Sequence, residues 1–133
     1  MLSKCDYALE WFDKARNDLL SARAILESEY GITDAPCFHA QQCVEKALKG
    51  FLILHEISFA RTHDLMVLLA EVVKIDESYL IFKEVCEELC DFAVDVRYPG
   101  GLSIPPEDEV QSFIAEAERI FDKAKSSGNL QKS

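Results

Sequence analysis

No apolar run in this chain approaches the roughly 18 residues a helix needs to cross a bilayer, so nothing in its 133 residues reads as a membrane span. The N-terminal stretch MLSKCDYALEWF holds one lysine and then acids, with no apolar signal core. The reading is therefore a cytoplasmic protein. Histidine is scarce: there are three, and none follows His63. No Walker loop, GxGxxG or GxSxG motif occurs, which removes the common signatures of nucleotide hydrolysis, dinucleotide binding and serine hydrolysis. Strand-like alternation never lasts more than a few residues, no repeat has a fixed period, and no linker divides the chain.

Cysteine is present in odd number, as Cys5, Cys37, Cys43, Cys86 and Cys90. An odd count without a leader favours free thiols in a reducing compartment. Cys86 and Cys90, four apart, share a helix face and invite a metal reading. They lie on the apolar side of that helix, and no CxxC or HxxxH pair accompanies them. Buried free cysteine behaves as a small hydrophobe, so neither a metal nor a cofactor is expected.

The chain has a net charge of −10, unevenly placed. Residues 1–62 carry seven basic against nine acidic side chains, and residues 63–133 seven against fifteen. Such a protein repels a phosphate backbone at long range, which disfavours broad nucleic-acid binding but leaves room for a local basic strip to hold one phosphate.

Helical periodicity recurs in five segments. The first runs from about Asp6 to Ser28, with Trp11, Ala15, Leu19, Ala22 and Leu26 at helical spacing, and stops at Tyr30-Gly31. Asp34 is a cap candidate for the second, with Pro36 in its first turn, reaching about Glu56. Thr62 is the expected cap of the third, which ends near Lys74, and Asp76 that of the fourth, which runs to about Val96. On the fourth, Phe82, Val85, Cys86, Leu89, Phe92, Ala93 and Val96 face one side, while Glu84, Glu87, Glu88, Asp91 and Asp95 form a solvated face. Pro99-Gly100-Gly101 and Pro105-Pro106 bracket an irregular segment, after which Glu107, Asp108 and Glu109 open the fifth helix at the positive end of its dipole. These elements imply an all-α, antiparallel up-and-down bundle of about five helices over residues 1–125, followed by a polar tail, 126–133. Phe51, Leu89, Phe92, Phe113 and Ile120 are expected in its core. The large apolar fraction, 49%, also suggests self-association through a two-fold interface.

The stretch CFHAQQCVEKALKG, residues 37–50, divides in two. Ala40, Val44, Ala47, Leu48, Phe51 and Leu54 gather on one side. His39, Gln42, Lys46 and Lys49 form a separate strip at spacings of three, four and three. An imidazole, an amide and two ammonium groups on one line suit an anionic or nucleotide-like ligand; the plain alternative is a strip that keeps the helix soluble. Arg97 and Tyr98 stand where a helix stops against Pro99, and an arginine there can offer a planar fork to a phosphate or bond its own helix's last carbonyls. His63 and Asp64 adjoin at a helix start, where a structural role fits better than a catalytic one.

An aromatic first helix (Tyr7, Trp11), then CFHAQQCVEKALKG, then Arg61-Thr62-His63-Asp64-Leu65, then Val96-Arg97-Tyr98-Pro99 and a last helix form an ordered series. In this the chain resembles the HEPN domain family, small all-α proteins of bacteria and archaea whose name refers to nucleotide binding. The resemblance extends from about Tyr7 to Lys125. It implies a homodimer and often a separately encoded minimal nucleotidyltransferase as partner in a toxin–antitoxin-like pair; the side chains themselves make Arg97, Tyr98, Lys46, Lys49, Gln42 and His39 the expected holders of a nucleotide or phosphate ligand. Ribonuclease members of the family carry a histidine separated from an arginine at this point by four to six residues and cut RNA without metal. Arg97 matches that arginine, but Leu102, Ser103 and Ile104 stand where the histidine would fall. The expectation is thus a binding module with little or no ribonuclease turnover, with Arg97 and His63 as the only candidates for catalysis. A metal-independent ribonuclease toxin and a purely structural dimerisation domain are the alternatives.

Overall fold

A computed structural model describes residues 3–59, 61–95 and 105–127, with the side chains of 92–95 excepted. Among the described residues the chain is all helix: α1 (Lys4–Glu27), α2 (Asp34–Leu54), α3 (Leu65–Ile75), a 3-10 turn (Glu77–Phe82), α4 (Lys83–Asp95) and α5 (Glu107–Ser126). No helix among them is long and apolar enough to cross a membrane.

Local chemistry sets the helix ends, in several places a residue or two from where periodicity alone puts them. Helix α1 begins earlier than Asp6, because Ser3 and Asp6 form a reciprocal capping box: Ser3 Oγ accepts from the Asp6 N–H at 3.1 Å, and the Asp6 carboxylate accepts from the Ser3 N–H at 3.3 Å. It closes at Ser28, whose hydroxyl bonds the Ile25 carbonyl, and the left-handed turn falls at Gly31, φ +68°. Asp34 is the first residue of α2 rather than its cap; its carboxylate accepts from the neighbouring Ala35 N–H. Asp64, not Thr62, caps α3 by accepting from the Met66 N–H at 2.9 Å, while Thr62 Oγ1 accepts one step earlier, from the Asp64 N–H. Asp76 caps the 3-10 turn, which leads directly into α4.

Helix α2 is the axis of the molecule, in contact with α1, α3, α4 and α5. It runs antiparallel to α1: the start of α1 meets the end of α2 through Lys4 and Glu56, and Asp18, further along α1, meets Lys46 and His39 nearer the start of α2. Between these points Gly50 lets the two backbones close on Phe12, since a Cβ there would lie 2.8 Å from the Phe12 ring. Phe51, Leu89, Phe113 and Ile120 are buried as the periodicity requires. The Phe92 side chain lies outside the described residues. Aromatic edges lock the layers, Phe12 against Phe121 of α5 and Phe51 against Tyr79 of the 3-10 turn.

Contact with four other helices changes the meaning of the polar residues on α2. Gln41, Glu45 and Lys49 are buried, so this is not a helix with one core face and one washed face.

Candidate functional site between α1 and α2

Helical spacing on α1 sets Tyr7, Glu10, Trp11 and Lys14 on one face. Opposite them α2 presents Gln42, Glu45, Lys46 and Lys49, and His63, in the loop before α3, stands at the edge. Together they line an open pocket of about 540 Å³. A smaller hollow near the other end of α1, about 290 Å³, includes Arg23, whose guanidinium is already bound to Glu118.

The pocket floor is ionic and nearly dry. Glu45, 3% exposed, accepts from Lys49 Nζ at 2.9 Å, and Lys49 is itself 7% exposed. Charges buried this deeply persist only when paired. The His63 ring meets the same carboxylate, with Nδ1 at 3.0 and 3.1 Å from its two oxygens. Gln41 Nε2 donates to the His63 carbonyl at 3.2 Å, and Gln42 Nε2 donates to Gln41 Oε1 at 2.7 Å. Two buried residues of α2 thus hold one histidine of the following loop by side chain and by backbone. The Lys49 ammonium also sits 5.5 Å from the centre of the Trp11 ring and 6.0 Å from that of Phe59, within cation–π range.

Away from the floor, Lys46 Nζ donates to Asp18 at 2.5 Å, and the His39 ring meets the other oxygen of that carboxylate at 3.0 Å. Lys14 forms no ion pair among the described residues and is exposed. The strip read from sequence is therefore divided by the fold. Gln42, Lys46 and Lys49 line the pocket, whereas His39 braces α2 against Asp18 outside it. Arg97 and Tyr98 lie outside the described residues. His63 is brought to the pocket rather than left as a plain helix-start residue.

Three lysines of the pocket face two glutamates, with Asp18 just behind, so the basic strip is largely neutralised, by Glu45 from α2 itself and by Asp18, which the spacing of α2 could not reveal. Sequence reasoning missed Glu45, Asp18, Gln41, Lys14 and Glu10 as members of this network. One signal was legible: Glu45 lies four residues before Lys49, at ion-pair spacing in an otherwise apolar helix. The other, Tyr7 and Trp11 at the same spacing on α1, marks an aromatic wall.

The thiols take no part. Burial pushes Cys43 up to about 12, despite being opposed by Lys46 and Arg23, and burial with the nearby Glu109 and Asp34 charges does the same for Cys37. Cys86 is raised to about 12 by burial and by its neighbour Cys90. These are thiols kept in the inert protonated form. No group of three or more His, Cys, Asp or Glu side chains converges as a metal site among the described residues. What the pocket offers instead is ring surface, ammonium groups and an oriented imidazole.

An all-α bundle built around one central helix, with a polar pocket between its first two helices and a THDL loop at the rim, defines the class. The chain belongs to the HEPN domain family, which it matches over residues 8–127. It is 32% identical, over an alignment of 136 positions, to a candidate toxin of Methanocaldococcus jannaschii, covering 90% of this chain and 86% of that protein. Its fold is similar to the crystal structure of an archaeal HEPN homologue, with a TM-score of 0.67 and 26% identity, covering 92% of this chain and 97% of the other.

Proposed function

We propose that this chain is the HEPN member of a toxin–antitoxin-like pair, acting as a homodimer that binds a nucleotide or related phosphate ester in the α1–α2 pocket, with a minimal nucleotidyltransferase as partner. The observation that carries the reading is the joint presence of the Tyr7 and Trp11 rings and the Lys14, Lys46 and Lys49 ammonium groups around one cavity. Ring faces accept a base by stacking, and ammonium groups accept a phosphate. Similarity to a candidate toxin supports the two-component setting. The ribonuclease alternative lacks its histidine, since none follows His63, and general acid–base cleavage needs a titrating group within reach of the scissile phosphate. Arg97 and Tyr98 are proposed, on sequence alone, to add to anion binding.

Titration calorimetry with adenosine and guanosine monophosphates tests the reading. Lys14→Ala and Trp11→Ala should each weaken binding by about tenfold, the worth of one charge-assisted hydrogen bond or one stacked ring. Lys14 is exposed, so its variant should leave the thermal midpoint nearly unchanged, whereas Trp11→Ala, which also removes the ring beside Lys49, should lower it. Affinity untouched by both variants, or RNA degradation abolished by Arg97→Ala or His63→Ala, would replace this reading with another.

A further inference from the structure

The most unusual group in the pocket is a side chain at once exposed and held. The His63 side chain is 85% exposed, and an exposed histidine needs no support for folding. Yet two buried residues of α2 fix it, Gln41 through its carbonyl and Glu45 through Nδ1. An ionised carboxylate can only accept. With Glu45 already accepting from Lys49, the His63 contact requires that Nδ1 carry the hydrogen and donate it. In the neutral ring the lone pair then belongs to Nε2, the atom on the far side from Glu45. A solvated imidazole without such a partner prefers the opposite tautomer. The floor of the pocket therefore spends a buried ion pair on presenting an acceptor at its edge.

Resting on the reading that the pocket holds a phosphate ester, we propose that His63 is its specificity-determining residue, with Glu45 and Gln41 as positioning residues. Nε2 accepts a hydrogen bond from a hydroxyl or amino group of the nucleoside, so the site selects a nucleoside phosphate that carries this donor over one that lacks it. Lys14, exposed and without an ion pair among the described residues, gives affinity toward any phosphate, with Lys46 and Lys49 beside it already paired; none of the three can accept a hydrogen bond. Glu10 and Glu45 also line the cavity, but Glu45 is occupied by Lys49 and His63. The imidazole is thus a neutral acceptor whose direction the fold has fixed; Gln42, its amide held by Gln41, is another. Exposure sets the size of the effect: water competes at Nε2, so selection of about tenfold is expected rather than the far larger factors of a closed site.

The tautomer can be read directly by long-range nitrogen–proton correlation NMR on nitrogen-15 histidine-labelled protein, at a pH of about 8 where free imidazole is neutral. Wild type should show His63 mainly as the Nδ1–H form. Glu45→Ala leaves Lys49 buried without a partner and is a poor test, so the paired variant Glu45→Leu with Lys49→Met removes both charges together. In it His63 should revert to the Nε2–H form. Adenosine monophosphate, its 2′,3′-dideoxy analogue, inosine monophosphate and inorganic phosphate are then titrated into wild type, His63→Ala and His63→Gln. Wild type should prefer adenosine monophosphate to one of the two analogues by about tenfold, whereas its preference over inorganic phosphate also contains stacking on Tyr7 and Trp11. Loss with the dideoxy analogue assigns the donor to the sugar, and loss with the inosine analogue assigns it to the base. His63→Ala should abolish the preference, and His63→Gln, whose amide oxygen can still accept, should keep part of it. A wild-type ring mainly in the Nε2–H form, or a preference that survives His63→Ala, overturns the proposal. Nucleotide binding without any preference overturns it and leaves the binding-module function standing, whereas no nucleotide binding at all overturns both.

Discussion

Helices α2 and α4 carry similar alternations of apolar and charged residues, and the fold uses them in opposite ways. On α4, Cys86 and Leu89 are buried while Glu84, Glu87, Glu88 and Asp91 are exposed, so polarity maps directly onto solvent. On α2, Gln41, Glu45 and Lys49 are buried with the apolar residues, because other helices surround it. An acidic residue on α4 needs no partner and has water. One on α2 must find a partner, and Glu45 finds two, in the Lys49 ammonium and the His63 ring. Charge on a peripheral helix is for solubility; charge on a central helix builds a site.

The largest effect expected from this contrast comes from truncating one acid on each helix. Glu45→Ala, which strands the Lys49 ammonium in the interior, should lower unfolding free energy by about 3–5 kcal/mol. Glu87→Ala, exposed on α4, should stay within about 0.5 kcal/mol of wild type. Urea denaturation of both variants measures the difference, and equal small changes would erase the contrast between the helices.

The close approach that makes α2 central can be tested at Gly50. Adding a methyl there forces a contact 2.8 Å from the Phe12 ring, an overpacking expected to cost about 1–3 kcal/mol. Trimming the ring with Phe12→Leu should recover part of that loss in a double-mutant cycle. Strict additivity would mean that the two helices do not meet as described.

At the junction of the two regions, Asp64→Ala removes the cap of α3 and should cost about 1 kcal/mol. Thr62→Ala, which loses only the bond that steadies Asp64, should cost less. A reversed order in thermal melts would return the cap to Thr62, where the sequence pattern first put it.

The smallest effects are electrostatic and lie in the α3–α4 region. The Ser78 hydroxyl, then its N–H, hold the Asp76 carboxyl below its usual range; a depressed folded value gives stability that is present at neutral pH and lost as pH falls through it. Glu88 is displaced the other way, by burial and then by Glu84 and Glu109. Its penalty at neutral pH is relieved on acidification. Asp76→Asn should therefore flatten the acid limb of a midpoint-versus-pH curve, and Glu88→Gln should raise the midpoint slightly at pH 7. A midpoint lowered by Glu88→Gln, or an acid limb steepened by Asp76→Asn, would overturn these two assignments.

The helices and the core were legible because their signal is local. A 3.6-residue period places Phe51, Leu89, Phe113 and Ile120 inside whichever neighbours cover them, and the HEPN series of short motifs needed only order and spacing. Cap assignments were one step less legible: Thr62 and Asp64 are both good caps, and the choice between them depends on which N–H the loop turns toward. The candidate site was legible only in part. Gln42, Lys46 and Lys49 could be picked out because they share one helix, but their partners Asp18 and His63 belong to other segments of the chain.

By itself, then, the sequence determined an all-α chain, the core positions Phe51, Leu89, Phe113 and Ile120 and its HEPN membership, all of which follow from interactions within a few residues or from ordered motifs. It set Trp11 at the helical spacing of Ala15 and Leu19, where the fold instead buries Phe12 and leaves Trp11 in the pocket wall. Tertiary structure alone decided that α2 would be enclosed, that Asp18 would neutralise Lys46 and His39, and that His63 would reach Glu45 at the edge of a pocket walled by Trp11. Those pairings join residues from separate helices and loops, and no periodicity along the chain specifies which of several acids will meet a given base. Burial does, by making every unpaired charge on the central helix too costly to keep.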